Sequence, residues 1–364
     1  VISSITYSSL NISIENTIKA INSPINSFAW GWPTITLITL TGFVLMFGLN
    51  FMPLYRIPYG IKNLLQPSKK ENKNGAITPF QALMTSLSAT IGTGNIAGVA
   101  GAIAIGGPGS IFWMWVIAIF GMATKYAEGV LAVKYREVGE LGNYVGGPMY
   151  YIKNGLSKRW NWLGGVFALF GMLAGFGIGN GVQCFEVSSA LENVGIPKLI
   201  TGIILASLVF SVIIGGVNRI AKAASAIVPW MTILYIFACL LIISLNISEV
   251  SNAFSSIFLN AFTGKAAAGG TLVQVILMGF KRGIFSNEAG LGSAPIAHAS
   301  SNSNDPVKQG TIAMLGTFID TLVICTMTAL VILITGAYTS GQSGSDLSIF
   351  AFNTGLPGSG WIVT

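Results

Sequence analysis

The sequence predicts an all-α membrane protein, a bundle of helices crossing lipid, and three observations carry that reading. Of 364 residues, 52% are hydrophobic and 9% charged, and mean hydropathy is +0.71, whereas soluble domains are about a quarter charged. Apolar runs of roughly 20 residues, enough to span a hydrocarbon core of about 30 Å, recur with short polar loops between them. Two of these runs are interrupted by glycine-rich polar stretches, which a membrane helix tolerates only beside protein or a water-filled cavity.

The elements follow in chain order. Residues 1–32 are polar, lack a basic start and an apolar core, and so do not form a signal peptide; the chain begins at Val1, and a native start before it is expected. Eight spans are predicted: Thr34 to Leu54, Pro79 to Ile103, Ile111 to Lys134, Trp162 to Leu191, Leu199 to Gly215, Ala221 to Leu245, Leu272 to Ser300 and Thr311 to Ala337. Loops after the first, third and fifth spans hold Arg56, Lys62, Lys69, Lys70, Lys73, Lys134, Arg136, Lys153, Lys158, Arg159, Arg219 and Lys222, and Lys308 follows the seventh. The opposite side holds only Lys19, Lys198 and Lys265. The positive-inside rule therefore places the basic loops in the cytoplasm and the N-terminal segment outside, in a multi-pass protein of the cell (inner) membrane. Because the net charge of +7 is dispersed over loops and forms no continuous face, nucleic acid is not expected as a partner.

The first interruption is Ser88-Ala89-Thr90-Ile91-Gly92-Thr93-Gly94-Asn95-Ile96-Ala97-Gly98. Its glycines let the backbone unwind and expose N–H and C=O groups, although small residues four apart also serve close helix packing. Asn95 and the threonines favour a site. The second is Met278-Gly279-Phe280-Lys281-Arg282-Gly283-Ile284-Phe285-Ser286-Asn287-Glu288-Ala289-Gly290-Leu291-Gly292-Ser293-Ala294-Pro295, with three charges among apolar residues; the alternative is a loop that ends the span near Phe280. Roughly 190 residues and five spans separate the two breaks, the pattern of an odd-numbered repeat whose second copy enters from the opposite side, with ligands at discontinuous helices near midplane.

At these two segments the sequence resembles the alanine or glycine:cation symporter family, through Gly92 to Ala100 and Gly283 to Ile296. Gly106-Gly107-Pro108-Gly109, Phe112-Trp113-Met114-Trp115, Met122-Ala123-Thr124-Lys125-Tyr126-Ala127-Glu128 and Gly146-Gly147-Pro148-Met149-Tyr150 add to the likeness. The resemblance implies leucine-transporter-like inverted five-helix repeats with an extra N-terminal helix, and sodium-coupled uptake of alanine or glycine. Residues 33–77 are then the extra helix and a basic loop, 78–250 the first repeat and 251–364 the start of a second. A ten-helix core needs three more helices than the chain contains, so the second repeat is expected to be truncated here, with Trp361-Ile362-Val363 opening another span.

By the same resemblance, backbone N–H groups of Thr93 and Gly94 hold the substrate carboxylate, and Leu277, Met278, Gly279 and Phe280 face its ammonium and side chain. Gln183 reads the carboxylate or makes an interhelical hydrogen bond. Sodium, the coupling ion, is placed at carbonyls near Ser88 and Ile91, at Thr90 and at the Asn95 side chain. No catalytic residues and no organic cofactor are expected, since the sequence carries no nucleophile-base or metal constellation.

Three groups of residues remain. Lys125 and Glu128, spaced i, i+3, are expected to pair on one helix face, while Glu186, Glu288 and Asp320 are candidates for a proton path in a proton-coupled carrier of another solute. His298 is read as a solvated helix-end residue. Cys184, Cys239 and Cys325 lie in apolar spans and imply no disulfide framework. An ion channel would also use broken helices, but would conduct without a saturable solute.

Overall fold

The computed structural model describes residues 17, 19–66, 76–140, 142–192, 195–263 and 271–363, so Lys69, Lys70, Lys73 and Lys265 lie outside the described residues. Nearly everything described is helical, and the one small sheet is an antiparallel hairpin of β1 (Glu137–Val138) and β2 (Tyr144–Val145).

Helix α1 (Trp32–Gly48) continues an N-terminal helix that begins at Lys19, so the first apolar helix runs Lys19–Gly48 and not Thr34 to Leu54. It ends early because Asn50 and Phe51 are left-handed, with φ of 49° and 57°. The short α2 (Ile57–Leu65) then packs Gly60 against the Thr311 carbonyl. Helix α3 (Pro79–Thr90) starts at a reciprocal cap. The Gln81 N–H donates to Thr78 Oγ1 and the Thr78 N–H donates to Gln81 Oε1, at 3.2 and 3.0 Å, which satisfies two orphan backbone donors.

Helix α5 (Ser110–Lys134) is the centre of the bundle. On one side Gly129 meets Ala313 and Gly310 of α14 (Pro306–Thr317), and on another Gly279 and Gly283 of α12 (Leu272–Asn287) press onto Ser110, Trp113 and Ile117. Glycines at both contacts let helix backbones approach more closely than any side chain permits. Helix α4 (Val99–Gly106) precedes α5, and between α5 and α12 run α6 (Pro148–Gly155), α7 (Asn161–Ala174), α8 (Ile178–Glu192), α9 (Lys198–Ile213), α10 (Gly216–Leu245) and α11 (Ile247–Thr263). After α12 come α13 (Ala294–Ala299), α14, α15 (Thr326–Ile334) and α16 (Gly344–Gly355).

Among the described residues, five helices are long and apolar enough to cross a membrane, or six if the bent pair Pro79–Thr90 and Gly94–Gly106 counts as one span. The two remaining expected spans are shorter: α9 has 16 residues, and the run from Leu272 divides into α12 and the six-residue α13. Helices α11 and α16, both unanticipated, complete the bundle; Trp113 Nε1 donates to the Ala261 carbonyl at 2.9 Å, and Ser348 Oγ to the Ile96 carbonyl at 3.1 Å. Leu169, Phe170, Leu199, Ile203, Trp230 and Phe237 are exposed, the apolar outer surface that lipid solvates.

Candidate substrate and cation site

The first interruption is where the sequence places it. Helix α3 ends at Thr90, Ile91 is extended (φ −76°, ψ 111°), and the chain resumes as a π-helical turn, Gly94–Gly98, leading into α4, with a bend of 51°. Asn95 organises this break. Its Oδ1 accepts the Gly92 N–H at 2.8 Å, taking one of the donors freed by unwinding. Its Nδ2 donates to Asp320 Oδ1 at 2.7 Å, with the Asp320 carbonyl and Ser286 Oγ each at 3.1 Å and Cys325 Sγ at 3.3 Å.

Asp320 lies on a second π-helical segment, Phe318–Cys325, between α14 and α15. Widened turns of this kind occur where a helix must aim a side chain at a site. The Asp320 carboxylate accepts from Asn95, from Ser286 Oγ at 2.8 Å and from Thr321 Oγ1 at 2.7 Å. Asn95 is 1% exposed, and Asp320, Ser286 and Thr321 are fully enclosed. An acid so buried, with hydroxyl and amide donors and no basic partner within ion-pair reach among the described residues, forms an oxygen-rich nest suited to a small hard cation.

Of the substrate candidates, Thr93 and Gly94 stand at the start of the second half-helix, where N–H groups lack intrahelical acceptors. Gly94 packs against Ser286, whose Cα would lie 3.1 Å from a Cβ at that position. Gln183 comes to the same place from α8, its Nε2 3.7 Å from where a Gly92 Cβ would stand. The structure thus brings Thr93, Gly94 and Gln183 together around one turn of irregular backbone.

It does not bring Leu277, Met278, Gly279 and Phe280 there. These four lie within the regular helix α12 and not in an unwound stretch. Gly94 faces Ser286, Gly101 faces Arg282 and Gly106 faces Met278, so the second half-helix and α12 run antiparallel, and Met278 sits about 12 Å along the helix from Ser286. Gly279 remains helical because its work is packing against Ser110 and Trp113.

The second interruption therefore begins at Glu288, ten residues after Met278. Glu288 is left-handed (φ 54°), as are Gly290 (88°) and Gly292 (81°), and the helix resumes at Ala294. Lys125 Nζ donates to the Glu288 carbonyl at 3.2 Å, and Glu128 Oε1 accepts the Gly292 N–H at 3.1 Å. The two side chains also face each other, Nζ to Oε2 at 4.0 Å, both buried. The Glu288 carboxylate itself is held by Ser293 Oγ.

Of the cation candidates, the Ile91 carbonyl and Asn95 lie at the break. Thr90 is buried, with its hydroxyl on the Leu87 carbonyl at 3.3 Å, while Ser88 is exposed and donates to the Thr85 carbonyl at 2.8 Å. Ser88 and Asn95 thus fall in different environments. His298, expected at a solvated helix end, is 1% exposed, with Nδ1 2.7 Å from Gln309 Nε2. Sequence reasoning assigned Ser286, Thr321 and Cys325 no place at the site and did not connect Asp320 to Asn95. The available signal was one carboxylate within an apolar run that follows a broken span.

Discontinuous helices meeting at an enclosed polar cluster, inside a bundle with several membrane-length apolar helices, are the architecture of a multi-pass membrane transport protein. The sodium:alanine symporter family profile matches residues 15–364, and the chain belongs to that family. It is 48% identical over 347 residues to a sodium/alanine symporter of Methanococcus maripaludis, covering 93% of this chain and 77% of the relative. A probable sodium/glutamine symporter of Bacillus subtilis is 44% identical over 326 residues, covering 89% and 67%. A putative sodium/proton-dependent alanine carrier of the same organism is 41% identical, covering 88% and 66%. Cation-coupled amino-acid transport follows for the chain, with sodium as coupling ion.

Proposed function

We propose that the chain carries alanine or glycine into the cell together with sodium across the cell membrane, basic loops facing the cytoplasm. The observation that supports it most directly is Asn95, which caps the broken backbone at Gly92 while its amide holds the buried Asp320 carboxylate. One residue thereby joins a backbone site for the substrate to an oxygen site for the ion.

The substrate carboxylate is received by the N–H groups of Thr93 and Gly94, where the half-helix dipole favours negative charge, with the Gln183 amide as a second donor. Sodium takes oxygens from the Ile91 carbonyl, Thr90, Asn95, Asp320, Ser286 and Thr321. Each of these ligands belongs to an irregular segment or to the end of α3 or α12. Ion and substrate together stabilise the occluded arrangement, and the sodium gradient biases the side to which it opens. The two discontinuities, Ile91 to Thr93 and Glu288 to Ser293, support inverted repeats beginning near residues 78 and 251, after an extra N-terminal helix that runs Lys19–Gly48.

Uptake of radiolabelled alanine or glycine into proteoliposomes, with an inward sodium gradient or with choline replacing sodium, tests the reading. Sodium-dependent, saturable uptake is expected. Uptake that persists in choline rejects sodium coupling, and absence of uptake while glutamine enters moves the substrate. The buried Asp320 favours one second reading, proton coupling, for which a pH gradient replaces sodium as the driving force.

A further inference from the structure

The braces around the second interruption continue into the cluster around Asp320. Asn287, the last residue of α12, donates from Nδ2 to Thr321 Oγ1 at 3.1 Å, and Thr321 Oγ1 donates to Asp320 Oδ2 at 2.7 Å. On its other side Asn287 Oδ1 accepts the Ala289 N–H at 3.0 Å, the first turn of the non-helical stretch. That stretch is gripped from α5 at both ends, at the Glu288 carbonyl by Lys125 and at the Gly292 N–H by Glu128.

Lys125 is 1% exposed and Glu128 6%. Burying an ion pair costs several kcal/mol per ion before attraction offsets it, so a pair whose only result was stability would be poorly placed here. Glu128 Oε2 is buried with no hydrogen-bond partner, and its 4.0 Å separation from Lys125 Nζ is loose. Each charge spends its close contact on the backbone of the interruption and not on the other. Left-handed Glu288, Gly290 and Gly292 make this the segment able to absorb rotation between α12 and α13.

We infer that Lys125, Glu128 and Asn287 are positioning residues that couple occupancy of the Asn95–Asp320 site to the orientation of the hinge Glu288–Ser293 and of α13. The inference rests on the proposed cation site. When an ion draws in the Asp320 and Thr321 oxygens, Asn287 moves with Thr321, and the pull reaches Ala289 and Glu288. Lys125 and Glu128 hold the hinge to the central helix α5, so that this pull turns α13 and does not simply slacken the loop.

The test uses Ile296 on α13, 44% exposed, as a reporter: Ile296→Cys in a Cys184→Ser background, labelled with a soluble thiol reagent in sodium and in choline. Binding of radioactive sodium is measured on the same preparations. The parent reporter is expected to change its labelling rate about fivefold between the two ions. In Lys125→Met/Glu128→Gln, which removes both charges and so leaves no lone buried ion, and in Asn287→Ala, the sodium effect is expected to vanish while sodium still binds.

Retention of the sodium effect in either variant overturns the inference. So does loss of sodium binding along with it, since the residues then serve the site or the fold and not the link. A parent that binds sodium without a labelling response also overturns it and leaves the cation site standing, whereas a parent that binds no sodium removes the cation site itself.

Discussion

Asn95 makes contacts that no smaller side chain replaces. Asn95→Ala frees the Gly92 N–H and removes a 2.7 Å hydrogen bond to a carboxylate that stays buried. Leaving such groups unpaired costs about 1–3 kcal/mol, so sodium-dependent uptake is expected to fall about tenfold or more, with a lowered melting temperature in detergent. Uptake rates and thermal unfolding of the purified variant check both. The place of Asn95 at the break was legible in the sequence, because an amide amid glycines and threonines has no apolar role in a membrane span. Its partner was not: Asp320 lies 225 residues away, and no periodicity encodes a contact across that distance. His298 shows the same limit, since proximity to a helix end says nothing of Gln309 folding over it.

Glycine-rich helices hid two different uses of one residue type. Gly279 and Gly283 allow α12 to press onto α5, whereas Gly290 and Gly292 adopt backbone that other residues rarely reach. The sequence shows both kinds as glycines in one run, which is why the interruption is expected over Met278 to Pro295 while the helix in fact continues to Asn287 and breaks at Glu288. Substitution separates the uses. Gly279→Leu drives a side chain into Ser110 and Trp113 and is expected to destabilise the bundle by about 1–3 kcal/mol or more, seen as lost monodisperse protein on size exclusion. Gly92→Ala meets nothing nearer than the Gln183 amide at 3.7 Å, so it is expected to fold normally and yet weaken substrate uptake, read as a raised KM. Long apolar spans were the most legible elements. Helices α11 and α16 escaped because they carry mixed polarity and gain their stability from the tertiary contacts of Trp113 and Ser348.

Orientation belongs to the assembled protein, since only the charge of all its loops together decides it. Lys158 and Lys198 flank the long run Lys158–Glu192 on opposite sides. In otherwise unreactive variants, Lys158→Cys is expected to label from the cytoplasmic face and Lys198→Cys from the outer face, in inside-out and right-side-out vesicles respectively. The reverse pattern inverts the transport direction read from the basic loops.

Enclosure of Asn95, Asp320, Ser286 and Thr321 also sets the terms on which an ion arrives. With every one of these side chains buried, the proposed cation site requires that a cation reach the carboxylate stripped of its water, after the surrounding backbone has opened and closed again. At such a site dehydration is expected to act as the selectivity filter, because fixed oxygens recover the lost hydration of an ion of one radius better than that of its larger neighbours. Ion capture follows the rhythm of the helices and not of diffusion, so its rate is expected to respond to temperature and bilayer thickness far more than to ionic strength.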